Sequence, residues 1–224
     1  MVRTFSWGWR LKVKVAAVLT TVSLFSGCAY NVQPAPVPVV NVQASYDTKI
    51  GGGWALVLDD SLSNVSRQVK PASFVCSAHS FPVVLGDALP SSLRRMFEQV
   101  FEQVQTRATP PSVDSLSREA LKGTLLVRLE EFSPRITCQT GFFSGTCSAS
   151  ADIAVSVNAR GPDGTLFATT ASGSKVADGS SGGACEGGSQ VLGDAINRSM
   201  KDMLERLGER VSNAPRLREA GNKK

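Results

Sequence analysis

The sequence has a single histidine, His79, and aromatic residues make up only 7% of its 224 positions. Any catalytic triad that uses an imidazole would therefore depend on His79. No Cys-x-x-Cys pair is present, so the spacing of a four-ligand zinc site is missing. No glycine-rich segment ends in Gly-Lys-Ser or Gly-Lys-Thr, the ending that a P-loop requires. The sequence predicts no catalytic residue, no metal and no cofactor.

The basic residues are concentrated at the two ends of the chain, and the formal net charge is +5. Residues 1–27 contain four basic residues and no acidic one, and the segment from Arg216 to Lys224 contains four basic residues and one acidic one. The body of the chain between them therefore carries a slight negative charge. A nucleic-acid-binding domain needs a basic face on the folded body, so we exclude nucleic acid as a partner.

The first 27 residues have the organisation of an export signal. A basic region ends at Lys14, and the apolar run Val15–Phe25 that follows is too short to span a bilayer. The next residues, Phe25-Ser26-Gly27-Cys28, resemble the bacterial lipobox, at which a signal peptidase cleaves before a diacylated cysteine. We expect acylation of Cys28. The alternative is an ordinary secretory signal followed by a chance cysteine. Ala29, by analogy with the sorting rule of enteric bacteria, favours an outer-membrane, periplasm-facing location.

Four further cysteines fit an oxidising compartment, where an even number predicts disulfides. Of the three pairings of Cys76, Cys138, Cys147 and Cys185, we favour Cys138–Cys147, because these two residues flank a short segment between two strand-like runs. The remaining pair, Cys76–Cys185, closes a long loop and stabilises the fold by restricting the unfolded chain.

Composition divides the mature chain into three parts. Residues 28–45 are spaced by prolines and predict an extended tether, residues 46–214 form one domain, and residues 215–224 predict a basic, flexible tail. Apolar patterning predicts strands at 54–58, 73–77, 124–132, 151–159 and 165–176.

Two amphipathic helices complete the predicted domain. One has its apolar stripe from Leu89 to Val104, and the other begins after an N-cap at Ser189 and has its stripe from Leu192 to Val211. The order β-β-α-β-β-β-α predicts an α+β fold, an antiparallel sheet of about five strands with both helices on one face.

Phe142 and Phe143 would lie at the tip of the Cys138–Cys147 hairpin. Two adjacent aromatic side chains at a loop tip predict a hydrophobic contact with a partner protein or a lipid. The alternative is that the loop folds back and covers the domain's own core.

The lipobox, the tether, the early strand, the helix, the β-meander and the closing helix together resemble a group of small Gram-negative lipoproteins. The group comprises the lipopolysaccharide-assembly lipoprotein, the ABC-transport auxiliary lipoproteins and the YajG-like lipoproteins. The resemblance covers Cys28 to about Val211. It implies a non-catalytic, membrane-anchored accessory subunit of an envelope transport or assembly complex, with an envelope protein as partner. A homo-oligomer is a further alternative, and so is a stand-alone lipid- or glycan-binding lipoprotein.

Overall fold

The fold is built on a mixed five-stranded sheet. The computed structural model describes residues 28–38, 40–140 and 145–223. Its seven strands are β1 (Ile50–Leu58), β2 (Ser66–Val69), β3 (Phe81–Val84), β4 (Phe101–Arg107), β5 (Leu121–Thr140), β6 (Gly145–Gly161) and β7 (Gly164–Ser180). The sheet has the order β4-β1-β5-β6-β7, and β2 and β3 form a separate antiparallel hairpin. The prediction of an α+β fold with a five-stranded sheet is confirmed.

The prediction that the sheet is antiparallel is wrong at β1. Trp54 on β1 pairs in parallel with Val104 on β4 and with Gly123 on β5. Parallel neighbours need a crossover connection, usually a helix. Helix α1 (Ala88–Val100) lies between β1 and β4 in the chain, and helix α2 (Val113–Arg118) lies between β4 and β5. Only β5, β6 and β7 form an antiparallel meander.

The described residues contain four helices instead of the two predicted, and the order of elements is β-β-β-α-β-α-β-β-β-α-α. Helix α3 spans Gly187–Ser212 and helix α4 spans Pro215–Asn222. The predicted stripes of α1 and α3 are buried from Leu89 to Val100 and from Leu192 to Val211. None of the helices in the described part of the chain is both long enough and apolar enough to cross a bilayer.

Three local predictions are wrong. Val104 belongs to β4, because α1 ends at Val100 and the backbone is already extended at Phe101. The segment 73–77 forms bends and turns, and Cys76 has φ 63°, a left-handed conformation outside the range of regular strand backbone. Ser189 is the third residue of α3 and not its N-cap, and its hydroxyl donates to the Glu186 carbonyl.

Residues 28–45 do not form the predicted free tether. Ala29 and Val32 form parallel bridges with Ser80 and with Val83 of β3. The side chains of Val32, Val37 and Val40 are buried in the main core. The prolines between them keep the chain extended, and each valine removes apolar surface from water, so the segment packs along the domain instead of extending from it.

The predicted flexible tail is helical up to Asn222, where α4 packs against β1. Leu217 is fully buried. The Arg218 guanidinium lies 3.9 Å from the centre of the Tyr46 ring and donates to the carbonyl oxygens of Ser212 at 2.7 Å and Thr48 at 3.0 Å. Pro215 starts the helix at a position where its missing N–H costs nothing.

We expect Arg218→Ala to lower the free energy of unfolding by about 1–2 kcal/mol, because it removes two hydrogen bonds and a cation–π contact. Arg216→Ala is the matched control, because Arg216 is exposed on the same helix, and it should change stability by less than about 0.5 kcal/mol. Urea unfolding followed by circular dichroism measures both. Equal, small changes would show that Arg218 does not fix α4 to the domain.

Candidate functional site

Both disulfides lie at one end of the domain. Cys138 and Cys147 face each other directly across β5 and β6, with their Cα atoms 4.0 Å apart. Cys76, in the loop between β2 and β3, is bonded to Cys185, in the loop before α3, with a Cα–Cα distance of 5.9 Å. This pairing is the one that the sequence favours. We call this part of the molecule the disulfide-bonded end. It comprises residues 71–80, the end of β5, the start of β6 and residues 181–186.

The two disulfides are adjacent. The sulfur atoms of Cys76, Cys138 and Cys147 lie within 4.8 Å of one another. Among the described residues, these three side chains are close enough together to bind one metal ion. Each of these sulfurs is bonded to another sulfur. Zinc binds the thiolate form of cysteine, so the oxidised cluster offers no thiolate ligand. Cys76–Cys185 joins two distant loops, and Cys138–Cys147 joins β5 to β6 beside them.

Cys28, the predicted acylation site, is exposed at this same end. Its carbonyl oxygen accepts a hydrogen bond of 3.2 Å from the Ser80 N–H, and the Tyr30 N–H donates to the Ser80 carbonyl at 2.9 Å. The Tyr30 ring lies 5.6 Å from the His79 ring and 5.9 Å from the Phe81 ring. The first described residues are therefore fixed to the loop that carries Cys76.

Tyr30 also links this segment to the glycine-rich loop, since its hydroxyl donates to the Ala184 carbonyl at 2.7 Å. Desolvation raises the pKa of the Tyr30 hydroxyl, and the negative charge of Glu186 adds to this shift. The hydroxyl therefore keeps the proton that it donates. Tyr30, Cys28 and the loop before α3 form one connected surface.

The glycine-rich loop is organised by its own carboxylate. Glu186 accepts hydrogen bonds from the N–H groups of Gly183 at 3.2 Å and Ala184 at 2.8 Å. Bonds from its own N–H and from those of Ala184 and Gly183 lower the pKa of the Glu186 carboxyl. A phosphate cradle would need free N–H groups in this place. Because the Glu186 carboxylate already occupies two of them, the loop has the geometry of a structural turn.

Residues Gly179–Gly183 have Gly-x-Ser-x-Gly spacing at a strand-to-helix turn, a signal of hydrolase nucleophiles that sequence reasoning missed. Ser181, the central serine, is only 4% exposed, and its hydroxyl donates to the Gly182 carbonyl at 3.1 Å. His79 Nδ1 has no hydrogen-bond partner among the described residues, so no carboxylate orients the ring. Within the described chain, the serine and the histidine therefore lack the hydrogen bonds of an activated pair.

Phe74 is the exposed apolar residue of this end, and sequence reasoning missed it by placing it on a buried strand. Its side chain is 95% exposed. A signal for this exposure was available in the sequence: Phe74 is the one large apolar residue between Pro71 and Cys76, and its neighbours there are small. Phe142 and Phe143, the predicted contact residues, lie outside the described residues.

An open groove crosses the outer face of the sheet beside the disulfides. It encloses about 780 Å³. Thr137 on β5 lies opposite Ser148 on β6, which lies opposite Asp178 on β7, and these rows of hydroxyl and carboxylate groups form the floor. At one end, Arg135 lies 3.2 Å from Asp152. The groove can therefore offer hydrogen bonds to a ligand, and the exposed Val176 adds apolar surface beside them.

Comparison with known proteins assigns no family to the chain. No protein-family model matches the sequence, and no curated protein matches it. Among solved structures, a Xanthomonas campestris protein of family DUF330 is similar to it at 11% identity and TM-score 0.46, covering 81% of this chain and 92% of that one.

Two further solved structures are similar at a lower level. A minor lipoprotein from Acinetobacter baumannii has 10% identity and TM-score 0.40, covering 74% of this chain and 93% of that one. A Helicobacter pylori protein described as homologous to a neuraminyllactose-binding hemagglutinin has 8% identity and TM-score 0.39, with coverages of 79% and 89%. At these values the similarity does not decide between the functions considered below.

Proposed function

We propose that the protein is a lipid-anchored, non-catalytic accessory subunit of a transport or assembly complex in a bacterial envelope. The observation that carries the proposal is Cys28, which follows a lipobox-like sequence directly and is exposed at the start of the described chain. Because Cys28 is exposed, its sulfur is accessible to acylation. Ala29 in the next position favours the outer membrane, with the domain facing the periplasm.

The disulfides support an extracytoplasmic location. Two disulfides in a domain of this size are typical of proteins that fold in an oxidising compartment. The Cys76–Cys185 disulfide ties the loop 71–80 to the loop before α3, and backbone hydrogen bonds from Cys28 and Tyr30 to Ser80 fix the segment after Cys28 to that loop.

We expect Cys28→Ser, made in a chain whose residues 1–27 are replaced by an ordinary secretory signal, to abolish acylation and to release the protein from membranes, because its cleavage no longer needs a diacylated cysteine and the lipid anchor is lost. Membrane fractionation in high salt, density-gradient separation of the two membranes and mass spectrometry of the N-terminal peptide make the test. The unaltered protein should float with the outer membrane and carry diacylglycerol. Ser77→Ala, an exposed serine in the neighbouring loop, is the control and should stay bound. Retention of the Cys28→Ser variant would contradict the proposal.

The accessory role requires a partner, and it is tested by purifying the acylated protein in mild detergent and identifying everything that co-elutes. A protein at fixed stoichiometry supports the accessory subunit. The second candidate function is a stand-alone lipid- or glycan-binding lipoprotein, and the open groove whose floor carries Thr137 and Ser148 favours it. A bound lipid or glycan without a protein partner would replace the first function with the second.

A further inference from the structure

Phe74 is held away from the core by the loop that carries it. The Ala72 N–H donates to the Ile136 carbonyl at 3.0 Å, and the Ser73 hydroxyl accepts a 2.9 Å bond from the Cys138 N–H. On its other side, Cys76 is bonded to Cys185. Both flanks of Phe74 are thus fixed to the sheet and to the loop before α3. Because these hydrogen bonds and the disulfide fix both flanks, they also keep the Phe74 ring exposed, at 95%.

The proposed anchor is fixed to the same loop. The Cys28 carbonyl accepts from the N–H of Ser80, six residues after Phe74. Six residues span at most about 20 Å when fully extended. Two turns shorten this path, one closed by the Ser77 N–H on the Phe74 carbonyl and one by the His79 N–H on the Cys76 carbonyl. Phe74 and Cys28 therefore lie on one small part of the surface.

This surface carries little charge. In residues 71–80 the titratable group is His79, and in residues 181–186 it is Glu186, apart from the disulfide-bonded cysteines. The Glu186 carboxylate is already hydrogen-bonded to the loop. A surface whose one carboxylate is already hydrogen-bonded, and which carries a projecting aromatic ring, can enter the headgroup region of a bilayer without burying an unpaired charge. An acyl chain on Cys28 would also hold this part of the protein close to a lipid surface.

We infer that the loop 71–80 is a membrane-contact surface, in which Phe74 enters the bilayer interface beside the acylated Cys28. This inference rests on the proposed acylation. Cys28 supplies the principal anchor, and Phe74 supplies a second point of attachment that fixes the orientation of the domain. The domain then lies directly on the lipid surface with its disulfide-bonded end toward the membrane. Strand β5 runs from this end to the opposite end of the domain, so α2, which lies at that opposite end, points away from the membrane.

The test uses the mature acylated protein in vesicles of phosphatidylethanolamine and phosphatidylglycerol, with and without brominated acyl chains. After removal of residues 1–27 the native tryptophan is Trp54, which is fully buried and gives the same background in every variant. F74W places a reporter in the loop. V113W is the matched control, because Val113 is also an exposed apolar residue. Val113 lies in α2, just before β5 begins at Leu121, and Leu121 is about 50 Å along the strand from Ile136.

We expect brominated lipid to reduce the emission of F74W several-fold and to leave that of V113W unchanged, with a blue shift for F74W alone. Mass spectrometry of the N-terminal peptide and vesicle flotation are recorded on the same samples. If the peptide is acylated and the protein floats, but F74W is quenched no more than V113W, the membrane-contact inference is overturned and the proposed function stands. If the peptide carries no lipid, both fail.

Discussion

Replacing Cys76 and Cys185 together with alanine is expected to lower the free energy of unfolding by about 4 kcal/mol. The disulfide joins residues separated by 109 positions. Closing a loop of that length restricts the unfolded chain by about 5 kcal/mol in the chain-entropy model. Both residues have left-handed backbone, with φ 63° at Cys76 and 65° at Cys185. The loops can relax when the bond is absent, which offsets about 1 kcal/mol of the loss.

The matched control is the double substitution Cys138→Ala with Cys147→Ala. This disulfide spans only 9 positions between strands that already pair, so its loss should cost about 2–3 kcal/mol. Both variants are made in the mature chain with Cys28→Ser and are unfolded with urea under oxidising conditions. A larger loss for the Cys138–Cys147 pair would contradict the loop-length argument. It would show that packing of the buried sulfurs outweighs chain entropy.

The sequence predicted the helices and the meander best, because their signals are local. The stripes from Leu89 to Val100 and from Leu192 to Val211 repeat with the helical period, and both are buried. The stripe continued to Val104 because that residue keeps the helical spacing by coincidence. Pairing with Trp54 on β1 decides the conformation of Val104, and no pattern near Val104 carries that information.

The two docked ends were missed for a related reason. Val32, Val37 and Val40 stand among prolines and polar residues, and Leu217 stands in a charged tail, so neither segment has a period that predicts burial. Each segment packs through one to three apolar side chains on a surface that other elements build. Composition cannot show which surface such segments contact, and in the tail it did not show the helix that forms there.

The candidate site was predictable in part. The pairing of Cys138 with Cys147 follows from their positions around a hairpin, and the second disulfide follows by elimination. The contact residue Phe74 did not follow, because Ser73–Ser77 has the composition of a strand. The left-handed backbone at Cys76 turns this segment outward. Its disulfide partner lies 109 residues away, and only the folded chain brings the two together.

Gly173→Ala is expected to lower the free energy of unfolding by about 3 kcal/mol. Helix α3 crosses β7 so closely at this point that a Cβ on Gly173 would lie 2.1 Å from the Ser199 carbonyl oxygen and 2.7 Å from the Met203 nitrogen. Both atoms belong to the helix backbone, so no side-chain rotation can make room. Insertion of a methyl group into such a contact forces the backbone to shift, which typically costs about 1–3 kcal/mol, with the larger cost where nothing yields.

The helix cannot move away freely, because Ser199 ties it to two strands. The Ser199 hydroxyl donates to the Ala151 carbonyl at 2.7 Å and accepts a bond of 3.0 Å from the Lys175 N–H. All of these atoms are in the interior or at its edge, and separating them leaves buried polar groups unpaired. A methyl group at position 173 therefore forces either a steric overlap or the loss of these two bonds.

Gly183→Ala is the control for the cost of adding a methyl group to a glycine. A Cβ on Gly183 meets no atom within 4 Å, so its effect should lie within about 0.5 kcal/mol. Urea unfolding of both variants gives the difference. Because α3 begins two residues after Cys185, the Gly173→Ala variant should also show weaker protection of the Cys76–Cys185 disulfide against dithiothreitol. A stability loss below about 1 kcal/mol would contradict the close helix–sheet contact on which this argument depends.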